Sequence, residues 1–265
     1  MRHAAVLMGS ILMAATSSAA VVSLPPVLDN TLYSSATGNL SNAKGAGLFT
    51  GFNSINQNRR SLLKFDVAGA VPAGSTITAV SLQLVNASGF ADPHANTIHR
   101  VLASWGEGTS VGDGMGAAAS PNDATWLHRF YNTVFWSTPG GDFVAAASAS
   151  TTVGGSGTYT WSSAGLVQDV QLWLNTPASN FGWLVKGGES VTGSSKNFGS
   201  REHPDPTKRP VLTITYTPPA PPCTGDWDGN RRVDFADISH VLAHWGAPFI
   251  FADITTTLQN WGRPC

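Results

Sequence analysis

The stretch Ile77-Thr-Ala-Val-Ser-Leu-Gln-Leu-Val85 sets the character of most of this chain. Apolar and polar side chains alternate along it, as a strand with one buried and one wetted face requires. Runs of the same kind lie on both sides: Ser61-Leu-Leu-Lys-Phe-Asp66, Ile98-His-Arg-Val-Leu102, Phe143-Val-Ala-Ala-Ala-Ser-Ala-Ser150, Gly157-Thr-Tyr-Thr-Trp161, Phe181-Gly-Trp-Leu-Val-Lys186 and Pro210-Val-Leu-Thr-Ile-Thr-Tyr216. Val71-Pro-Ala-Gly-Ser75, Thr138-Pro-Gly-Gly141 and Gly154-Gly-Ser-Gly157 separate them as turns. Helical spacing interrupts this pattern at Ala164–Leu174, and Asn175-Thr-Pro177 stops it. The predicted class is all-β: a jelly-roll-like, two-sheet β-sandwich with one short helix over residues 21–217. Trp161 and Trp183 sit in apolar strands and are expected in its core.

The first twenty residues read as an export signal. Arg2 supplies a basic start, Ala4 to Ala15 an apolar run, and Ser18-Ala19-Ala20 a small-residue cleavage site. The apolar run is too short to span a bilayer, and no later segment qualifies. The mature chain is therefore expected to be secreted, extracellular or held at the cell surface, with no membrane span. Charged residues make up 12% of the sequence and the net charge is −1, so no basic stripe exists for a nucleic-acid partner.

Pro218-Pro-Ala-Pro-Pro222 reads as a stiff linker to a small module over 223–265. In Asp226-Trp-Asp-Gly-Asn-Arg-Arg-Val-Asp-Phe-Ala-Asp237, oxygen-bearing side chains fall at Asp226, Asp228, Asn230, Asp234 and Asp237. That is the spacing of an EF-hand calcium loop, in which the carbonyl of Arg232 supplies a further oxygen. Arg231 stands where such loops place Gly, at a cost of about 1 kcal/mol for a left-handed backbone. Ile238, Val241, Leu242 and Trp245 continue at helical spacing. Phe235-Ala-Asp-Ile recurs at Phe251-Ala-Asp-Ile254, and each copy ends in Trp-Gly. Only Ala247–Ile250 separates the copies, so one calcium is expected, and the two short helices are expected to pair. Cys223 and Cys265, the only cysteines, flank this module and read as a disulfide that staples a unit too small to hold by its core.

The calcium loop with only its exiting helix resembles the dockerin type I repeat. That resemblance implies a non-catalytic attachment module with a protein partner, of the kind carried by polysaccharide-handling proteins. In the larger domain, Asp29-Asn-Thr-Leu-Tyr33, Asn39-Leu-Ser-Asn42, Arg59-Arg-Ser-Leu-Leu-Lys-Phe-Asp66, Val71–Ile77, Trp105-Gly-Glu-Gly-Thr109, Ala124-Thr-Trp126 and Ser200-Arg-Glu202, in that order, resemble the DNRLRE domain family. The resemblance covers about residues 27–217. It implies a non-catalytic sandwich, part of the family being carbohydrate-binding modules, with alginate as a ligand of some members.

Candidate contacts follow from the chemistry of sugars. Alternation through Arg60–Phe65 places Leu63 and Phe65 on one face and Arg60, Leu62 and Lys64 on the other. With Arg59, Arg201 and Lys186, these cations are candidates to meet the carboxylate of a uronate in an extracellular polysaccharide. Trp126 and Trp136, which flank Gly-rich loops, are the expected surface platforms for pyranose rings. An enzymatic reading would use His128 with Tyr131, or Glu107 with Asp123 as paired carboxylates. His128 and Tyr131 point to opposite faces if their segment is a strand. The leading expectation is a binding protein, the second a structural or adhesive envelope protein, and the third a polysaccharide-degrading enzyme.

Overall fold

The computed structural model describes residues 18–219, 223–246 and 248–262. The body of the export signal, three residues of the proline linker and Cys265 lie outside them. The chain divides into two compact units, Ala19–Thr217 and a second that runs on from Pro218. Among the described residues no helix is long and apolar enough to cross a membrane.

The larger unit is mostly β, with few helices. Its strands are β1 (Ala20–Leu24), β2 (Leu28–Tyr33), β3 (Leu40–Ser41), β4 (Gly47–Phe52), β5 (Asn58–Lys64), β6 (Thr76–Gly89), β7 (His94–Arg100), β8 (Ala117–Ala118), β9 (His128–Phe130), β10 (Val134–Phe135), β11 (Ala149–Val153), β12 (Gly157–Ser162), β13 (Trp183–Lys186), β14 (Lys196–Gly199) and β15 (Val211–Thr217). Two helices, α1 (Val67–Ala70) and α2 (Ala164–Asn175), interrupt them. One large antiparallel sheet runs β1-β15-β6-β14-β4-β5-β13-β7-β11, with β12 added to β6 and β2 to β5.

The long strand β6 shows how the sequence reaches this register. Ile77 is an odd position, whereas Val80, Leu82 and Leu84 are even, yet all four are buried. Strict alternation would expose one set. Between Thr215 and Tyr216 the pairing shifts by one residue, so Tyr216 faces Ile77 while Thr215 faces Ala79. Thr78 is the extra residue of this bulge, and it brings both parities inward.

These residues join one core with Leu63, Phe65, Ile98, Trp161, Trp183, Val185, Phe198, Leu212 and Ile214. Trp161 and Trp183 are fully buried, as their strands predict. The α2 helix begins at Ser163, whose hydroxyl accepts the Leu166 N–H, and buries Leu166, Val170, Trp173 and Leu174. Its Asp169 accepts the Trp183 indole N–H at 2.8 Å and pairs with Arg100 at 3.0 Å.

The opposite face of β2, β5 and β13 differs from expectation. Leu62 is not on a solvated face. With Leu32 and Leu184 it forms a second core, closed by Val101, Trp105, Ala124 and Trp136 from the irregular chain between β7 and β11. Adjacent residues of β5, Leu62 and Leu63, thus serve two cores, one on each side of the sheet. The strand expected over Phe143–Ser150 is correspondingly displaced to Ala149–Val153. Phe143 makes only an isolated bridge to Val101 and turns its ring into this covering layer.

In the second unit α3 (Phe235–Ala243) and α4 (Phe251–Gln259) are the two copies of the repeat. Val233 and Val241 are buried between elements too short to build more core. The Trp227 indole N–H donates to Thr257 Oγ1 at 3.0 Å, tying the acidic loop to α4. Gly225 lies against the same point. At φ +95° its missing Cβ leaves room for Thr257 Cα, which a side chain there would approach to 3.0 Å.

Candidate metal centre and basic residues

The acidic loop is organised by its own amides. Asp226 accepts the N–H groups of Gly229 and Arg231, both at 2.9 Å. Asp237 accepts Trp227 N–H at 2.7 Å and Asp228 N–H at 3.2 Å on one oxygen, and Asp234 N–H at 2.8 Å on the other. To close this turn, Arg231 adopts φ 67°, the left-handed conformation that the missing Gly would have taken freely. The result gathers Asp226, Asp228 and Asp237 with ligand oxygens within 4.8 Å of one another, Asp237 fully buried. Like charges this close repel, and a hard cation suits the oxygens they present. These three carboxylates are a set that could hold a metal ion.

The other expected ligands are placed differently. The Asn230 amide donates to Asp228 at 2.8 Å, and its carbonyl accepts Arg232 N–H at 2.8 Å. Asp234 caps α3 through Ala236 N–H at 2.8 Å. In the second copy Asp253 accepts Ile250 N–H at 2.7 Å, just as Asp237 accepts Asp234 N–H. The repeated Phe-Ala-Asp-Ile is thus a helix start, with the aspartate reaching back. Only the first copy has a loop for that aspartate to complete. Cys223 is not a free thiol. The expected Cys223–Cys265 bridge involves a residue outside those described.

The cations of the larger unit do not form the exposed row that alternation suggests. Arg60 donates from Nε and Nη2 to Glu189 at 2.6 and 2.9 Å, and from Nη1 to Gly140 O at 2.7 Å. Its guanidinium lies 4.7 Å from the Trp126 ring centroid and 5.2 Å from that of Phe143. Lys186 pairs with the same Glu189 at 3.3 Å. Arg201 is held by Glu107 and, at 3.0 Å, by Glu202. Lys64 is half-buried beside Asp66 and Asn180 at a cleft of about 370 Å³.

Arg59 is the exception. It is buried between the rings of Tyr33 and Phe49, at 5.9 and 5.6 Å, and donates to Ser195 Oγ at 3.0 Å. Its Nε has no partner and, among the described residues, it has no carboxylate in salt-bridge range. Burial lowers its pKa from the ordinary guanidinium value.

The expected aromatic platforms also separate. Trp126 is half-buried under Arg60, whereas Trp136 is 5% exposed and donates its indole N–H to Thr125 O. Trp136 is a core residue because the outer face of β5 needs a cover. The strand at His128 ends with Phe130, so His128 and Tyr131 are not on opposite faces. Their rings meet edge to face at 5.2 Å.

Sequence reasoning offers Glu107 only as half of a catalytic pair and does not foresee the ion-pair role by which it organises this unit. The Glu107 side chain is 3% exposed, pairs with Lys44 and Arg201, and accepts Asp29 N–H at 2.7 Å. Asp29 is buried. One oxygen accepts Arg201 N–H at 2.8 Å, and the other has no partner among the described residues. Burial first, with the charges of Glu202 and Glu107 adding, drives its carboxyl well above the usual range, against the Arg201 N–H bond.

A raised folded-state pKa favours folding fully below the unfolded value of about 3.9, and that contribution is lost as pH rises through the folded value. Asp29→Asn carries no such term. Its stability relative to wild type, measured by urea unfolding between pH 4 and pH 9, is expected to improve as pH rises. A difference that is flat with pH would show that Asp29 ionises without penalty. A scan of the chain against protein-family models and a search of curated proteins find no match.

Proposed function

We propose that this chain is a secreted, non-catalytic carbohydrate-binding protein with a calcium-binding, dockerin-like attachment module. The observation that carries the proposal is the gathering of Asp226, Asp228 and Asp237 around one small space, with Asp237 buried. Calcium is the favoured ion because every donor in the loop is oxygen. Asn230, the Arg232 carbonyl and Asp234, directly or through water, complete the coordination as the loop tightens. Phe235, Leu242 and Trp245 of the first copy, and Phe251, Leu258 and Trp261 of the second, are exposed. So much apolar surface on a small unit supports a protein partner for it. A Cys223–Cys265 disulfide would staple the module.

The larger unit is read as a DNRLRE-type domain, a jelly-roll-like sandwich. Support comes from its core, in which Leu82, Trp161 and Leu212 from one run of the sheet meet Leu63, Ile98 and Trp183 from the other. Binding is favoured over catalysis because its carboxylates are spent on ion pairs: Glu107 with Lys44 and Arg201, Glu189 with Arg60, and Asp169 with Arg100.

For an acidic polysaccharide, the pairing of Arg60 and Arg201 and the burial of Arg59 shift the expected contact to Lys64 and the exposed part of Trp126. The same pairing favours the second reading, an adhesive envelope protein without saccharide specificity. A glycan array that includes alginate and pectate separates the two. Binding to a uronate polymer, weakened by salt and by Lys64→Ala, is the expected result. No retained glycan on the array would leave the adhesive reading.

A further inference from the structure

The helix that follows the acidic loop carries a second arrangement of metal-ligand type. His240 and His244 stand four residues apart on α3 and its C-cap, so their side chains project from one face. Their ring centroids are 4.4 Å apart and the ring planes are inclined by only 31°. His240 is half-buried and His244 exposed.

One ring is held in a defined tautomer. His244 Nδ1 lies 2.9 Å from the His240 carbonyl oxygen, which can only accept, so Nδ1 carries the proton and the lone pair is left on Nε2. A ring N–H given to a backbone carbonyl is the usual way in which proteins orient a metal-binding imidazole. Among the described residues, neither Nε2 has a hydrogen-bond partner. Phe249 walls the pair, its ring 5.5 Å from His240 and 6.3 Å from His244.

We infer that His240 and His244 form a two-imidazole site for a borderline transition-metal cation of the zinc, copper or nickel class. This site is separate from the acidic loop and of opposite preference. Imidazole nitrogens select these metals, whereas the all-oxygen loop selects calcium. The two protein ligands come from one turn, so a bound ion keeps open positions for water or for a donor on a docking partner. The site lies beside Trp245 and Leu242, which are exposed on the same helix end.

The test uses the full mature chain without a histidine tag, in excess calcium so that the carboxylates are occupied. Copper(II) is added and followed by electron paramagnetic resonance, and zinc is titrated by calorimetry. The expected copper spectrum has hyperfine structure from two imidazole nitrogens. The expected zinc affinity falls at least about tenfold in His240→Ala and in His244→Ala, the loss typical of a disrupted metal site. Circular dichroism of each variant checks that α3 is retained, and His244→Gln repeats the test with a side chain that still hydrogen-bonds. Zinc affinity unchanged in both alanine variants, or copper bound through oxygen alone, would overturn the inference. Neither result bears on calcium binding in the loop, so the two sites stand or fall separately.

Discussion

Calcium in hundredfold excess over its dissociation constant is expected to stabilise the C-terminal unit by about 2.7 kcal/mol. Three carboxylates within 4.8 Å of one another repel until a cation is present, and Asp237 cannot relieve this by turning to solvent because it is fully buried. Asp226→Asn removes one charge and keeps an oxygen for only one of the Gly229 and Arg231 amides, which bond different oxygens of the carboxylate. It should abolish most of the calcium-dependent gain and cost the calcium-free unit no more than the one lost amide bond, about 1 kcal/mol. Arg231→Gly should tighten the site, since it releases about 1 kcal/mol of left-handed strain at φ 67°. Asp237→Ala is a poor test, because it also strips the N–H partners of Trp227, Asp228 and Asp234. Calorimetry that shows no heat up to millimolar calcium, the weak end for extracellular loops, would falsify the site.

This loop was legible because everything it needs is local. Its three gathered carboxylates, its strained Arg231 and the helix start at Asp234 fall within a dozen consecutive positions, and backbone geometry alone connects them. The strand character of β6 and the helix at Ala164 were legible for the same reason. The bulge at Thr78 was half-written in the parity change from Ile77 to Val80, which demands an extra residue somewhere. The outer face of β5 was not legible. Leu62 announced an apolar neighbour, but Trp105, Ala124 and Trp136 come from turns without periodicity. The partner that neutralises Arg60 lies 129 positions away. Spacing in a strand says which side chains share a face. It does not say whether that face meets water, and here a long irregular segment decides the matter.

The sharpest consequence of that covering layer concerns Glu107, which an enzymatic reading would pair with Asp123. A catalytic acid is held in an open cleft, and its replacement removes activity while leaving the fold intact. Glu107 is instead the common acceptor of three groups. Lys44 and Arg201 both pair with it, and Asp29 N–H donates at 2.7 Å, with its side chain 3% exposed. Glu107→Ala leaves Lys44 and Arg201 to share Glu202 across a vacated space and strands the Asp29 amide, at a cost of about 2–3 kcal/mol. Burial already penalises the Asp29 carboxylate, and loss of the neighbouring anion eases its ionisation, but one relieved carboxyl does not offset two cations left with Glu202 alone and an orphaned amide. Lys44→Ala should cost much less, because Lys44 is 32% exposed and Arg201 still answers Glu107. Urea unfolding followed by tryptophan fluorescence measures both, and their double mutant isolates the coupling between them. A Glu107→Ala protein that unfolds at the wild-type urea concentration would mean that this carboxylate is not a structural anchor.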